Sequence, residues 1–262
     1  MDAVPQSDQN DHCFSMGSDM LDRLSDARNE RMLLRERAFL CAYQPVKRAA
    51  LGGQTFYHEG LARLRTADGI VHGGGYFIPQ LESCGDIIHL DQQILSVVIN
   101  DLKREPNLQR GCNVSAVTFQ NHEIRNKMLR SIRASGLASR LVLEITETSP
   151  LRDATEINQF IKQAQDTGCR IAMDDFGSGH LSPSQLLKVE PDIIKIDASM
   201  LWNIRGRSKR NHSLHHIVDF ALCIAPVVVV EGVETAEQWG RAVASGATHI
   251  QGYYVGRPSM GV

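Results

Sequence analysis

The sequence predicts an α/β protein folded as a single TIM-like (β/α)₈ barrel, and three observations carry that expectation. Its 262 residues match the roughly 250 typical of one such barrel. From Phe39 onward, short apolar runs alternate with longer stretches of helical periodicity, the pattern of repeated βα units around a parallel sheet. Eight such runs favour closure into a barrel over an open sheet.

Residues 1–17 (MDAVPQSDQNDHCFSMG) are polar and acidic and read as a flexible tail. Residues 18–38 carry Met20, Leu21, Leu24, Ala27, Leu33 and Leu34 near helical spacing, which predicts an amphipathic lead-in helix. The barrel is assigned to 39–262. Its expected strands are Phe39–Val46, Thr55–Leu64, Gly111–Val117, Arg140–Thr146, Cys169–Asp174, Ile193–Asp197, Pro226–Val230 and Thr248–Tyr254. Helical periodicity fills the intervals at Asp91–Lys103, His122–Ser135, Ala154–Thr167, Leu214–Ile224 and Ala236–Ser245.

Composition narrows the function classes. Hydrophobic residues at 42% and charged residues at 22% are ordinary for a globular chain with a sizeable core. A formal net charge of −2 gives no global basic field for long nucleic acid or an anionic membrane, while a small anionic ligand held by local groups stays compatible. The cysteines at 13, 41, 84, 112, 169 and 223 contain no CxxC pair, which suits reduced thiols better than a disulfide framework or a zinc site. The N-terminus lacks the basic-then-apolar order of a secretory signal. The longest apolar run, Phe220–Val230, contains Pro226 and falls far short of the roughly 20 residues that span a bilayer. A soluble, cytoplasmic protein is expected.

The chemistry is written at the strand ends. LVLEIT carries Glu144, RIAMDD ends at Asp174 and Asp175, IIKID holds Lys195 and Asp197, and VVVVEG ends at Glu231. Glu59 lies within the second strand, Asn113 follows Cys112 in the third, and Gln251 follows Ile250 in the eighth. In a barrel the C-terminal strand ends converge on the face that holds the active site. Period-two alternation puts Lys195 and Asp197 on one side of their strand. Asp174 and Asp175 would point oppositely in a continuing strand, but Gly177 and Gly179 are expected to release the backbone so that both turn to one site.

A single Asp or Glu is most often a helix cap or a solvated ion-pair partner. Five or more oxygen ligands crowded together without histidine or cysteine instead repel one another unless cations neutralise them. Hard oxygen donors select Mg²⁺ or Mn²⁺, and this many acids suit two ions about 3.5–4 Å apart, the arrangement of phosphoryl-transfer sites. The expectation is a phosphoester hydrolase.

These residues also carry a resemblance. YQPV (43–46), EGLARL (59–64), FIP (77–79), NVS (113–115), LEITET (143–148), DDFGSG (174–179), IKID (194–197), EGVET (231–235) and QGYYVGRP (251–258) occur in the order found in the EAL domain family of bacterial-type cyclic-di-GMP phosphodiesterases. From Phe39 to Pro258 the chain resembles such a domain. The resemblance implies a barrel with one antiparallel strand that hydrolyses cyclic-di-GMP to linear pGpG with Mg²⁺ or Mn²⁺, and a homodimer. It implies Glu59, Asn113, Glu144 and Asp174 as ligands of one ion, with Asp174 and Asp175 bridging to a second. Glu231 matches the essential glutamate acting as ligand or general base. Lys195 matches the lysine at the attacking water or phosphate, and Glu59 is counted with these two as catalytic. Arg63 matches a phosphate-binding position, where a planar guanidinium donates two hydrogen bonds, while Gln251 and Asp197 are grouped with it on the substrate side. Glu147 and the loop residues Gly177, Ser178 and Gly179 resemble the elements that shape the mobile loop beside the site and support dimerisation. Ca²⁺, with bonds of about 2.3–2.6 Å against about 2.0–2.1 Å for Mg²⁺, is expected to support binding and inhibit cleavage. The alternative in a different class is a non-catalytic EAL-like protein that binds cyclic-di-GMP or a protein partner as a regulator; such members typically lack ligands that this chain retains.

Departures from the family pattern are specific. Glu-Ala-Leu is Glu59-Gly60-Leu61 here, expected to remove a methyl and loosen the strand by roughly 0.5–1 kcal/mol with the ligand left in place. HLSP (180–183) replaces the usual Tyr-Ser-Ser segment, and the stretch before FIP is unlike the family's. HGGG (72–75) resembles a lipase oxyanion loop, but no G-x-S-x-G accompanies it, so a flexible glycine turn is expected. His212, His215 and His216 beside RGRSKR (205–210) read as a solvated loop and helix face. GSG (177–179) lacks the lysine and spacing of a P-loop.

Overall fold

A computed structural model describes residues 39–146, 154–178, 182–202 and 213–260. The expected tail and lead-in helix, Glu147, Gly179, His180, Leu181, RGRSKR and His212 lie outside the described residues.

Nine strands and nine α-helices follow one another in the described chain. β1 (Phe39–Arg48), β2 (Thr55–Arg65) and β3 (Val71–Gly73) precede α1 (Ile78–Cys84) and α2 (Ile87–Arg104). β4 (Arg110–Ser115), α3 (Ala116–Gln120), α4 (His122–Ser135) and β5 (Leu141–Thr146) come next, then α5 (Ala154–Gln165), β6 (Arg170–Phe176) and α6 (Pro183–Leu186). β7 (Ile193–Ile196), α7 (Ala198–Trp202), α8 (Ser213–Leu222), β8 (Val227–Val230), α9 (Ala236–Ala244) and β9 (His249–Gln251) complete the set.

The sheet order is β1-β9-β8-β7-β6-β5-β4-β2-β3, and a further β1–β2 pairing closes the first eight strands into a barrel. β1 is antiparallel to both its neighbours, β2 and β9, while β2 and β4 through β9 run parallel. The eight expected strands are the eight barrel strands, and the antiparallel one is β1. The glycine-rich stretch departs from expectation: Val71–Gly73 pairs with β2 as a short outer strand, and His72 stacks on Tyr76 at 4.0 Å between ring centroids. The backbone donors and acceptors of β2 at that edge supply the reason, since an unpaired strand edge favours a partner over a free turn.

Period-two alternation sorts each strand into two faces. Leu141, Leu143 and Ile145 of β5, Ile194 and Ile196 of β7, and Val228 and Val230 of β8 face the helices in the main core. Val46, Tyr57, Val142, Ala172, Ile193 and Val229 meet as an apolar layer inside the barrel. Strands buried on both faces read as continuous Val/Ile/Leu runs, which explains VVVV in β8. One residue pair further along each strand, the interior turns polar, and that step builds the site.

Candidate active site

Two residues beyond the apolar layer stand Glu59 after Tyr57, Glu144 after Val142, Asp174 after Ala172, Lys195 after Ile193 and Glu231 after Val229. The antiparallel β1 obeys the same rule in reverse, with Gln44 two residues before Val46. The sequence spacing is therefore a direct image of a second, polar interior layer. Glu59, Glu144, Asp174 and Lys195 are all buried, at 5%, 0%, 5% and 1% exposure.

Lys195 is the hub of this layer. Its Nζ lies 3.1 Å from Glu59, 2.9 Å from Glu144, 3.0 Å from Asp174 and 2.9 Å from Glu231. Asn113 Nδ2 donates to Glu59 Oε1 at 2.9 Å, Gln251 Nε2 donates to Glu59 Oε2, and Tyr57 Oη donates to Glu144 Oε2 at 2.9 Å. Gly111 makes room for this arrangement, since a Cβ there would sit 1.9 Å from Glu144 Oε1. The structure thus brings together Glu59, Asn113, Glu144, Asp174, Lys195, Glu231 and Gln251, with Asp175 beside Asp174 and Glu231.

Asp175 reaches the site by an unexpected route. It remains inside β6 rather than being released by Gly177, and it adopts φ 57°, the only positive φ at a non-glycine among the described residues. The β6–β7 register shifts across Met173–Phe176 at the same point. A left-handed residue within a strand turns its own side chain out of alternation, and aspartate tolerates that conformation better than most. The backbone N–H of Asp175 donates to Asp174 Oδ1 at 3.0 Å, which holds the Asp174 carboxylate against the turned backbone.

Burial pushes the Glu144 carboxyl up to about 8 and that of Asp174 to about 6, against the pull of the Lys195 ammonium. Burial likewise raises Glu231 well above the usual range. At Glu59 burial acts in the same direction, but Lys195 and the donors Asn113 and Gln251 outweigh it and the carboxyl falls below its ordinary value. Lys195 is itself held well above the lysine range, because four carboxylates overcome its desolvation. One ammonium cannot balance this many acids, so the layer demands protons or cations.

The residues fit divalent cations. Glu59, Glu144 and Asp174 offer one set of converging oxygens and Asp174, Asp175 and Glu231 a second. Asn113 Oδ1 and Glu144 Oε1 are buried with no hydrogen-bond partner, and acceptor oxygens in that state are ready ligands.

Above the layer opens a cavity of about 610 Å³ whose wall includes Glu59, Arg63, Asp174, Glu231 and Gln251. Arg63 borders it while its Nη1 donates to the carbonyls of Leu61 and Ala62 at 3.3 and 2.9 Å. Asp197 is placed apart: it does not border the cavity, and its Oδ1 accepts from the Ser199 N–H and hydroxyl at the start of α7. The chain turns into α7 directly after Asp197, which gives that side chain a capping partner two residues on and satisfies it locally. Gly177 and Ser178 close the turn after β6, with Ser178 N on Asp175 O at 3.0 Å.

Gly60 differs from its sequence reading. A Cβ there would lie 2.6 Å from the Gly111 carbonyl and 3.4 Å from Tyr43 and Val98, so the position is closed by neighbours rather than loosened. Sequence reading also passed over Gln44, Tyr57 and Asp91. Gln44 and Tyr57 carry the period-two signal. Asp91, buried and accepting from Ser115 N and Oγ at 2.9 and 2.7 Å, ties α2 to the end of β4 and had no strand-end signal to mark it.

The EAL domain family profile matches residues 23–258. The chain belongs to the EAL domain family. Among curated relatives, this EAL protein is 31% identical over 246 residues to an uncharacterized signaling protein of Caulobacter vibrioides, covering 93% of this chain and 30% of the relative. It is 29% identical to the probable cyclic di-GMP phosphodiesterase PdeA of Escherichia coli, covering 87% and 31%. It is 28% identical to the bifunctional diguanylate cyclase/cyclic di-GMP phosphodiesterase MucR of Pseudomonas aeruginosa, covering 95% and 38%. The chain spans roughly a third of the length of these relatives. Among solved structures, the PaMucR phosphodiesterase in complex with c-di-GMP superimposes with a TM-score of 0.77 at 25% identity, covering 88% of this chain and 96% of that one. An EAL domain protein of Listeria monocytogenes shares the fold with a TM-score of 0.79 at 22% identity, covering 90% and 95%. EAL domains are generally metal-dependent, in keeping with the acidic cluster here. No helix among the described residues is long and apolar enough to cross a membrane.

Proposed function

We propose that this EAL protein hydrolyses cyclic-di-GMP to linear pGpG, drawing on Mg²⁺ or Mn²⁺. The observation that carries the proposal is the complete polar layer: five carboxylates, an asparagine and one buried lysine converge beneath an open cavity. Regulators that only bind nucleotide have no need of such a costly concentration of buried acids.

In the proposed reaction a water oxygen bonds to phosphorus, the P–O bond to a ribose 3′-oxygen breaks, and a proton ends on that oxygen. A 5′-phosphate remains, as in pGpG. Divalent cations held by Glu59, Asn113, Glu144 and Asp174, and by Asp174, Asp175 and Glu231, would supply charge neutralisation and acidified water. Glu231 takes the proton of the attacking water and passes it on. Lys195 holds four carboxylates in place and offsets charge at the phosphate where that charge grows largest. Arg63 at the cavity wall grips a phosphate oxygen, and Gln251 and Asn113 fix the rotamer of Glu59. Asp197 supports the site indirectly, by starting α7.

The test is incubation of purified protein with cyclic-di-GMP and Mg²⁺ or Mn²⁺, followed by chromatography for pGpG. Product is expected from the parent protein, and none from Glu59→Ala or Asp174→Ala despite unchanged circular dichroism. Binding without product would favour the regulator instead. The homodimer belongs to the same proposal and is checked by light scattering with and without nucleotide.

A further inference from the structure

Trp202 ends α7 at the rim of the cavity, and 52% of it is exposed. What an exposed indole at the wall of a ligand cavity offers depends on how it is held. Its orientation is fixed rather than free. Nε1 donates to the Gly232 carbonyl at 2.8 Å, and Cζ2 passes 3.0 Å from where a Gly232 Cβ would begin. Gly232 adopts φ +66°, so the residue following Glu231 is a left-handed glycine over which Trp202 and Ala198 pack directly. That loop is in turn tied to the end of the barrel, with Val233 N on Gln251 O at 3.0 Å and Tyr254 N on Val233 O at 2.9 Å.

The indole N–H is already satisfied by the protein, so what Trp202 offers the cavity is apolar π surface and no donor. Across the same cavity the substrate's phosphates are assigned to the acid layer and Arg63. A flat, neutral, aromatic ligand group is the chemistry that fits a pinned indole. We propose that Trp202 is a stacking platform for a purine base of the dinucleotide, anchoring the base while the adjoining loop presents Glu231 to the phosphate. This deepens the cyclic-di-GMP reading and rests on it.

Trp202 and Trp239 are the two tryptophans of the chain, so a Trp239→Phe protein reports on Trp202 alone. Titration of that protein with cyclic-di-GMP in Ca²⁺ is expected to quench the indole emission saturably. Trp202→Ala should weaken binding roughly 5- to 150-fold, the range of one base–aromatic stack, with KM rising and kcat within about threefold. Trp202→Phe, which keeps a ring, should recover most of the affinity. Thermal melts of the variants separate these effects from misfolding. Binding by the parent protein with unchanged affinity in Trp202→Ala, or with no change in Trp202 emission, overturns the platform alone. A fall in kcat with KM unchanged also overturns it, because Trp202 would then act through the loop only. Absence of any binding or cleavage of cyclic-di-GMP by the parent protein overturns the functional reading and the platform together.

Discussion

Replacing Lys195 by methionine removes the one cation that, among the described residues, pairs with a layer in which Glu59, Glu144, Asp174 and Glu231 all lie within 3.1 Å of its Nζ. The side chain is 1% exposed, so water cannot take over its role. Breaking a buried ion pair from one side costs about 3–5 kcal/mol, because the remaining charge stays buried and uncompensated. At about 2–4 °C per kcal/mol for a chain of this size, the metal-free melting temperature at pH 8 should drop by roughly 6–20 °C. Two rescues follow from the same electrostatics. Lower pH lets the acids take up protons, so the deficit should shrink toward pH 5; Mg²⁺ replaces the lost positive charge, so it should stabilise the variant more than the parent. Metal binding persists while turnover falls at least about a hundredfold, since the lysine's charge is worth most in the transition state. The assay is calorimetry in EDTA and in Mg²⁺ at pH 5 and pH 8, with product analysis alongside. A variant that melts in EDTA at pH 8 within about 2 °C of the parent, a margin worth about 1 kcal/mol, would refute the account of Lys195 as the charge hub.

The metal-free parent should itself lose stability as pH rises. Glu144 and Asp174 have folded pKa values raised to about 8 and about 6 from ordinary values of 4.5 and 3.8; their contribution is complete below about pH 4 and fades through pH 6 to 8. Melting curves in EDTA across that window should show the decline, with the gain from Mg²⁺ largest at pH 8. Gly60→Ala, which restores the family's usual residue, should destabilise the chain by about 1–3 kcal/mol, because its Cβ meets the Gly111 carbonyl at 2.6 Å; a denaturation midpoint equal to or above the parent's would show that β2 and β4 separate freely. Ca²⁺ should support binding of intact cyclic-di-GMP but no pGpG, and inhibit when added against Mg²⁺, since its longer bonds spoil in-line alignment. Calorimetry and chromatography on one mixture check both halves, and turnover equal to that in Mg²⁺ would rule out the two-ion reading.

The sequence by itself determined the eight barrel strands and the polar residue that follows most of the aliphatic runs, because strand periodicity is local. An aliphatic stretch followed at a spacing of two by Glu144, Asp174, Lys195 or Glu231 is legible without coordinates. Motif order likewise identified the EAL family. Tertiary structure decided what those residues do to one another. Lys195 and Asp197 share a strand face by alternation, yet one is the hub of four carboxylates and the other caps α7, because the strand ends between them. Asp175 joins the site through a left-handed backbone within β6, at the point where the β6–β7 register shifts, a feature invisible in DDFGSG. Gly60 looks permissive in the sequence and is sterically enclosed in the barrel, since the atoms that fill its side-chain space come from Gly111, Tyr43 and Val98, on other elements. Trp202, one aromatic residue in an unremarked segment, gained meaning only when folding set its indole over Gly232 at the cavity rim. Local pattern specifies which face a side chain takes; contact, charge balance and enclosure depend on residues far away in the chain, and these only the closed barrel brings together.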